Sequence, residues 1–166
     1  MTLRVVVGLG ANLGDRLASL RAAVRALSER GALEATSHVY ETKPVGGPPQ
    51  GDYLNAAIRI SWPAGADDLL DALLAIEKSL GRERRERWGP RLIDLDVLFI
   101  EGLAVNSDRL IVPHPRLLER PFALVPLLEV MPDASDPTSD ARLDVHVPAH
   151  DGDAWRDLKK TAFTLS

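Results

Sequence analysis

The spacing of apolar residues changes repeatedly along the chain. Arg4 to Leu9 is β-branched and almost wholly apolar, which predicts a buried first strand. Gly8 and Gly10 then loosen the backbone ahead of a helix from about Asp15 to Glu29, where Leu17, Leu20, Val24 and Leu27 share one stripe and Gly31 marks the stop. Leu13 stands where a dinucleotide-binding glycine motif needs its third glycine, and no Gly-Lys-Ser/Thr follows, so this start reads as a tight turn held by Asn12. Leu33 to Tyr40 predicts a second strand. Thr42 to Asp52, rich in proline and glycine, cannot form a continuous ladder and predicts a loop. Tyr53 to Ser61 alternates, with Leu54, Ala56, Ile58 and Ile60 on one face and Tyr53, Asn55, Ala57 and Arg59 on the other.

A second helix is expected from about Asp67 to Leu80, carried by Leu69, Leu70, Leu73, Ile76 and Leu80. After an arginine-rich loop comes a strand with Ile93, Leu95, Val97 and Phe99 on one face and Asp94, Asp96, Leu98 and Ile100 on the other. Short strands are expected at Leu103 to Val105 and Arg109 to Val112, and helical turns plus a helix over Arg116 to Val130. Beyond Met131 the chain turns rich in Asp, Pro and Ser; Leu143 to Val147 reads as a short strand and Asp151 to Lys160 as a short helix, with no chemistry evident in either. The order β-α-β-β-α-β is the ferredoxin-like, split βαβ pattern of an α+β sandwich in two or three layers with extra strands and helices, and it sets the first and last strands of the set side by side. Residues 1–166 are expected to form a single domain.

Composition narrows the function. The absence of cysteine excludes disulfides and thiolate metal sites and fits a reducing compartment. A net charge of −4 and a pI near 5.6 argue against broad nucleic-acid binding. No apolar run approaches the ~18 residues of a membrane span, and the start has no signal-peptide core, so a soluble, cytoplasmic protein is expected.

The chemistry concentrates at one junction. On a strand, the Cα atoms of Asp94 and Asp96 lie about 6.6–7 Å apart on the same face, close enough for their carboxylates to converge on divalent cations of the Mg²⁺ or Mn²⁺ type. Immediately before them, Arg82, Arg84, Arg85, Arg87 and Arg91 outnumber Glu83 and Glu86, with Trp88-Gly89-Pro90 interrupting the run. Guanidinium forks grip phosphate oxygens, and carboxylate-held Mg²⁺ bridges the same oxygens, so the combination reads as a polyphosphate site. The plainer alternative is an exposed acid pair salt-bridged to those arginines. Tyr53 and Asn55 could stack on, and read the edge of, a pyrimidinone-like ring; a surface tyrosine and a structural asparagine would look the same. Glu77, near the end of its helix, can pair with an arginine or reach a ligand hydroxyl. His114, set between Pro113 and Pro115 and close to Arg109, Arg116 and Arg120, is a candidate phosphate contact, and Phe122 is either a stacking ring or core.

The run RWGPRLIDLD, with DYLNAA before it and VPHP after it, resembles the 6-hydroxymethyl-7,8-dihydropterin pyrophosphokinase family over Gly8 to about Pro132. The resemblance implies transfer of pyrophosphate from ATP to the pterin alcohol, releasing AMP, with two Mg²⁺ ions held by Asp94 and Asp96. It implies catalytic roles for Arg82, Arg91, Asp94 and Asp96. On the ATP side it implies Glu77, Arg82, Trp88, Arg91, Arg109, His114 and Arg120. For the pterin it implies Thr42, Val45, Tyr53, Asn55, Asp94 and Phe122. A monomer is expected. Pro115 replaces a tyrosine of some members, Leu74 and Ile111 replace polar residues near adenine, and the basic loop is one residue short, so Arg84 and Arg85 receive no role. Two other classes share parts of this pattern. A Mg²⁺-dependent nucleotidyl- or glycosyl-transferase would not release AMP, and a ferredoxin-like RNA-binding module would bind RNA without turning over ATP.

Overall fold

A computed structural model describes residues 2–44, 47–81, 92–147 and 157–166. Its elements, in chain order, are β1 (Leu3–Ala11), α1 (Arg16–Ser28), β2 (Ala32–Thr36), β3 (Tyr40–Thr42), β4 (Tyr53–Trp62), α2 (Ala66–Ser79), β5 (Asp94–Ile100), β6 (Val105–Asn106), β7 (Ile111–Val112), α3 (Pro121–Val130) and β8 (Lys159–Lys160). The main sheet runs β5-β1-β4-β3-β8, with β2 also pairing to β4, and neighbouring strands are antiparallel. The expected adjacency of the first and last strands of the βαββαβ set is the β1–β5 pair. The α+β ferredoxin-like arrangement is present, built as three layers.

One face of the sheet packs under α1 and α2. Val5, Val7 and Leu9 of β1 and Leu54, Ala56, Ile58 and Ile60 of β4 meet Leu20, Val24 and Leu27 of α1 and Leu69, Leu73 and Ile76 of α2. Asp15 starts α1 by accepting a hydrogen bond from the Ala18 amide at 3.1 Å, satisfying one donor that the first helical turn leaves open. The opposite face is covered by α3, whose Leu124, Leu127 and Val130 pack on Val6, Ala57, Leu98 and Phe99. Pro121 opens α3 at a position where a missing N–H costs nothing. This second cover is short, so only part of that face is buried beneath it.

Five local readings need correction. The second strand is interrupted: β2 ends at Thr36 and β3 begins at Tyr40, both against β4. At the break Ser37 donates its N–H to the Ala57 carbonyl (2.9 Å) while its hydroxyl accepts the Ala57 N–H (2.8 Å), so a side chain replaces one ladder acceptor. In β5 the strict alternation fails. Val6 pairs with Phe99 but Val7 with Val97, so a bulge at Leu98 turns Phe99 to the α3 side and Ile100 to the α1/α2 side. Gly8 and Gly10 lie inside β1 and form no turn, and the Asn12 amide reaches instead to the Gln50 side chain (2.8 Å) and the Gly51 carbonyl (3.0 Å). Leu143–His146 is a 3₁₀ turn, and Lys159–Lys160, read as the end of a helix, is a strand. Of that expected helix, 151–156 lie outside the described residues. Among the described residues no helix is long and apolar enough to cross a membrane.

Candidate active site

The site lies where α3 stops covering the sheet. Gly10 of β1 pairs with Asn55 of β4 on one side and with Asp94 of β5 on the other, and Gly8 likewise stands between Ala57 and Asp96. Asn55, Gly10 and Asp94 therefore form one row across three strands, with about 10 Å between the outer Cα atoms at ordinary strand spacing. Because the middle strand contributes only glycine to these two rows, its backbone lines the cavity floor between the Asn55 and Leu98 side chains. A Cβ built on Gly10 would stand 2.9 Å from Asn55 Oδ1, and one on Gly8 2.9 Å from Leu98, both closer than side chains pack.

Over this floor opens a cavity of about 490 Å³. Asp94 and Asp96 line one side; Thr42, Tyr53 and Asn55 line the other; Pro121 and Phe122, at the start of α3, close the end with Arg116 and Arg120. Asn55 is buried and donates from Nδ2 to Thr42 Oγ1 at 2.6 Å, which orders its amide. The Arg120 guanidinium lies 5.8 Å from the Phe122 ring centre, a cation–π distance that holds the ring at the cavity mouth.

His114 is held by its backbone, its N–H donating to the Leu98 carbonyl at 3.0 Å. Its Nδ1 accepts the Arg116 amide at 3.2 Å, which leaves the proton of the neutral ring on Nε2. Burial, then the nearby Arg120 cation, push the imidazole pKa below its ordinary value, against an opposing pull from Asp94. At neutral pH the ring is an uncharged donor.

Of the residues singled out from the sequence, Asp94, Asp96, Thr42, Tyr53, Asn55, Phe122 and Arg120 meet at this cavity. His114 is close enough to Asp94, Arg116 and Arg120 to feel their charges. Arg109 is exposed and ion-paired with Asp71 and Asp67 of α2. Glu77 is buried, away from the cavity lining, and its Oε2 accepts the Leu95 N–H at 3.0 Å. Val45, Arg82, Arg84, Arg85, Trp88 and Arg91 lie outside the described residues. The sequence reading missed Gly8 and Gly10 as cavity floor, and Lys43, Gln50, Arg116, Asp157 and Leu158 as walls. The glycines did carry a signal, for their period of two matches that of Asp94 and Asp96.

The donor set fits a hard cation. Two carboxylates project from one strand face into a solvent-connected space, and among the described residues no group of three or more His, Asp or Glu gathers to form an all-protein cage. Mg²⁺ is commonly held this way, by one or two carboxylates with water and substrate phosphates completing the octahedron.

A family model described as 7,8-dihydro-6-hydroxymethylpterin-pyrophosphokinase matches residues 6–132. A 2-amino-4-hydroxy-6-hydroxymethyldihydropteridine pyrophosphokinase of Methylorubrum extorquens is 46% identical over 132 residues, covering 78% of this chain and 84% of that protein. The enzyme of the same name from Bacillus subtilis is 41% identical, covering 83% of this chain and 84% of its own length. The mitochondrial folate synthesis bifunctional protein of Arabidopsis thaliana is 44% identical, but the match spans only 24% of it. Among solved structures, the wild-type HPPK-DHPS of Plasmodium falciparum with pterin and p-hydroxybenzoate superposes with a TM-score of 0.69 at 14% identity, over 96% of this chain and 45% of that one, a likeness of fold. Taken with a cavity that sets an ordered amide opposite a carboxylate pair, these matches place the chain in the 7,8-dihydro-6-hydroxymethylpterin-pyrophosphokinase family.

Proposed function

We propose that this chain carries out its family's reaction, transfer of the β,γ-pyrophosphoryl group of ATP to the hydroxymethyl oxygen of 6-hydroxymethyl-7,8-dihydropterin, in the cavity over Gly8 and Gly10. The observation that carries the assignment of residues is the row Asn55, Gly10, Asp94. A flat bicyclic ring can lie on the glycine floor with its amide edge at Asn55 and Thr42, its faces toward Tyr53 and Phe122, and its hydroxymethyl arm directed to the carboxylates. Asn55 supplies both a donor and an acceptor, and its bond to Thr42 fixes which atom faces the ring.

Asp94 and Asp96 would hold Mg²⁺, two ions in our reading, which would supply Lewis-acid neutralisation of the phosphate charge. The protein's own contribution is positioning and electrostatics, since phosphoryl groups transfer through a loose transition state that needs alignment and charge stabilisation more than covalent help. Arg120 and His114 approach from the start of α3 and the segment before it. The neutral His114 offers an Nε2 donor to a phosphate oxygen without adding another cation beside Arg116 and Arg120. From the motif, Arg82 and Arg91 would clamp phosphate, Trp88 would help close the site, the Val45 backbone would read the pterin edge, and Glu77 and Arg109 would belong to the nucleotide side. Leu74 and Ile111 both expose apolar surface, which suits packing against adenine where other members use polar groups.

The test is product analysis with ATP, Mg²⁺ and the reduced pterin alcohol. AMP should form in step with pterin diphosphate; ADP or free pyrophosphate as the nucleotide-derived product would refute the assignment. Asp94→Ala or Asp96→Ala should lower turnover by roughly two orders of magnitude or more, the scale of single electrostatic groups at a reacting centre. The melting temperature should hold, because each change also removes one of two neighbouring like charges.

A further inference from the structure

The C-terminal segment reaches the cavity although it lies beyond the residues 6–132 that the family model matches. It is not a loose end. β8 pairs with the outer edge of β3, Lys160 opposite Tyr40 and Lys159 opposite Glu41. Thr161 donates both its N–H (2.9 Å) and its hydroxyl (2.8 Å) to the Val39 carbonyl, Arg21 of α1 donates to the Thr164 carbonyl (2.9 Å), and Leu165 is buried in the main core. Just before β8, Asp157 and Leu158 line the cavity, and Asp157 Oδ1 lies 3.6 Å from Lys43 Nζ.

Lys43 follows Thr42, the last residue of β3 and the partner of Asn55. A three-residue strand at the edge of a sheet holds its position weakly, and pairing on its outer side removes the unpaired edge. The tail therefore bears on the pterin side of the cavity by two routes: β8 braces β3, and the Asp157 carboxylate draws Lys43 to the wall. We propose that residues 157–165 form a substrate-side wall of this enzyme, with Leu158 bounding the pterin space and Asp157 a positioning residue that acts through Lys43 on Thr42 and Asn55. This rests on the pterin placement argued above.

The experiment is steady-state kinetics with each substrate varied in turn on Lys43→Asp, Asp157→Lys, the charge-exchanged double variant and Leu158→Ala. Each single charge reversal should raise the pterin KM by about 1.5- to 5-fold, the range of an exposed ion pair, and less at high salt. The ATP KM should not move, and the double variant should recover most of the loss. Leu158→Ala should also raise the pterin KM alone. Equal rises in both KM values, no change in either, or no recovery in the double variant with Leu158→Ala silent would each overturn the inference while leaving AMP formation by the unaltered protein, and so the family reaction, intact. Failure of the unaltered protein to form AMP would overturn both.

Discussion

Glu77→Ala probes how the carboxylate pair is held in place. Among the described residues β5 ends the sheet on its side, so an outward-facing N–H on that strand meets no neighbouring strand there. Leu95, between Asp94 and Asp96, donates such an N–H, and Glu77 near the end of α2, a residue only 3% exposed, accepts it at 3.0 Å. A hydrogen bond to a charged group contributes about 1.5–3 kcal/mol, and the stranded buried donor alone costs about 1–3 kcal/mol. For a chain of 166 residues at about 2–4 °C per kcal/mol, the melting temperature should fall by roughly 3–12 °C. Turnover should fall too, since a shift of about 1 Å in a positioned group can cost about 100-fold. Glu77→Gln keeps an acceptor for Leu95 and should lose less than half as much in both respects. Thermal unfolding beside kinetics with ATP, pterin and Mg²⁺ varied separately reads all three effects. If Glu77→Ala melts within about 1 °C of the parent and raises only the ATP KM, the nucleotide contact is its whole role and the edge-capping argument is wrong; the 1 °C limit lies well below the expected fall.

Gly10→Ala should raise the pterin KM about tenfold, the worth of one good hydrogen bond, because its Cβ displaces Asn55 Oδ1 and strains the bond to Thr42. An unchanged pterin KM, measured beside an unchanged ATP KM, would show that the row across the three strands does not bind the ring. Glu129→Gln tests the polar contact between α3 and the break in the β2–β3 edge. Burial raises the Glu129 pKa, but the Tyr40 hydroxyl and the His38 backbone and ring outweigh it and hold the carboxyl below its ordinary value. A depressed carboxyl pKa stabilises the fold above the unfolded-state value near 4.5 and loses that contribution as pH falls through the folded-state value. The parent should therefore exceed Glu129→Gln in urea midpoint at neutral pH and converge with it as the pH falls through the lowered folded-state value; a gap independent of pH would refute this.

How far the sequence reading reached can be judged residue by residue. Placing Asp94 and Asp96 on one strand face needed only the two-residue period of an extended chain, and the structure keeps it. The same rule failed three residues after Asp96, at Phe99, because a bulge depends on how β5 meets β1 and leaves no mark in an alternating apolar run. The strand break at Ser37 was invisible for a related reason: a serine hydroxyl replaces a ladder bond only when Ala57 of another strand is opposite it. Glu77 could be placed near the start of the arginine loop, but its burial follows from β5 lying at the sheet edge. Asp151 to Lys160 reads as a short helix without chemistry, yet Asp157 and Leu158 wall the cavity.

By itself the sequence determined the local periods, and with them which side chains share a face, where the helices lie, and which groups could carry phosphate chemistry. Those follow from backbone geometry acting over a few residues. The element order already sets β1 beside β5; only the tertiary structure decided the register with β4 on its other side, by which Gly10 separates Asn55 from Asp94 and Gly8 separates Ala57 from Asp96. Register is set by how whole faces bury together across the sheet, and no local pattern encodes the distance between two faces that have not yet met.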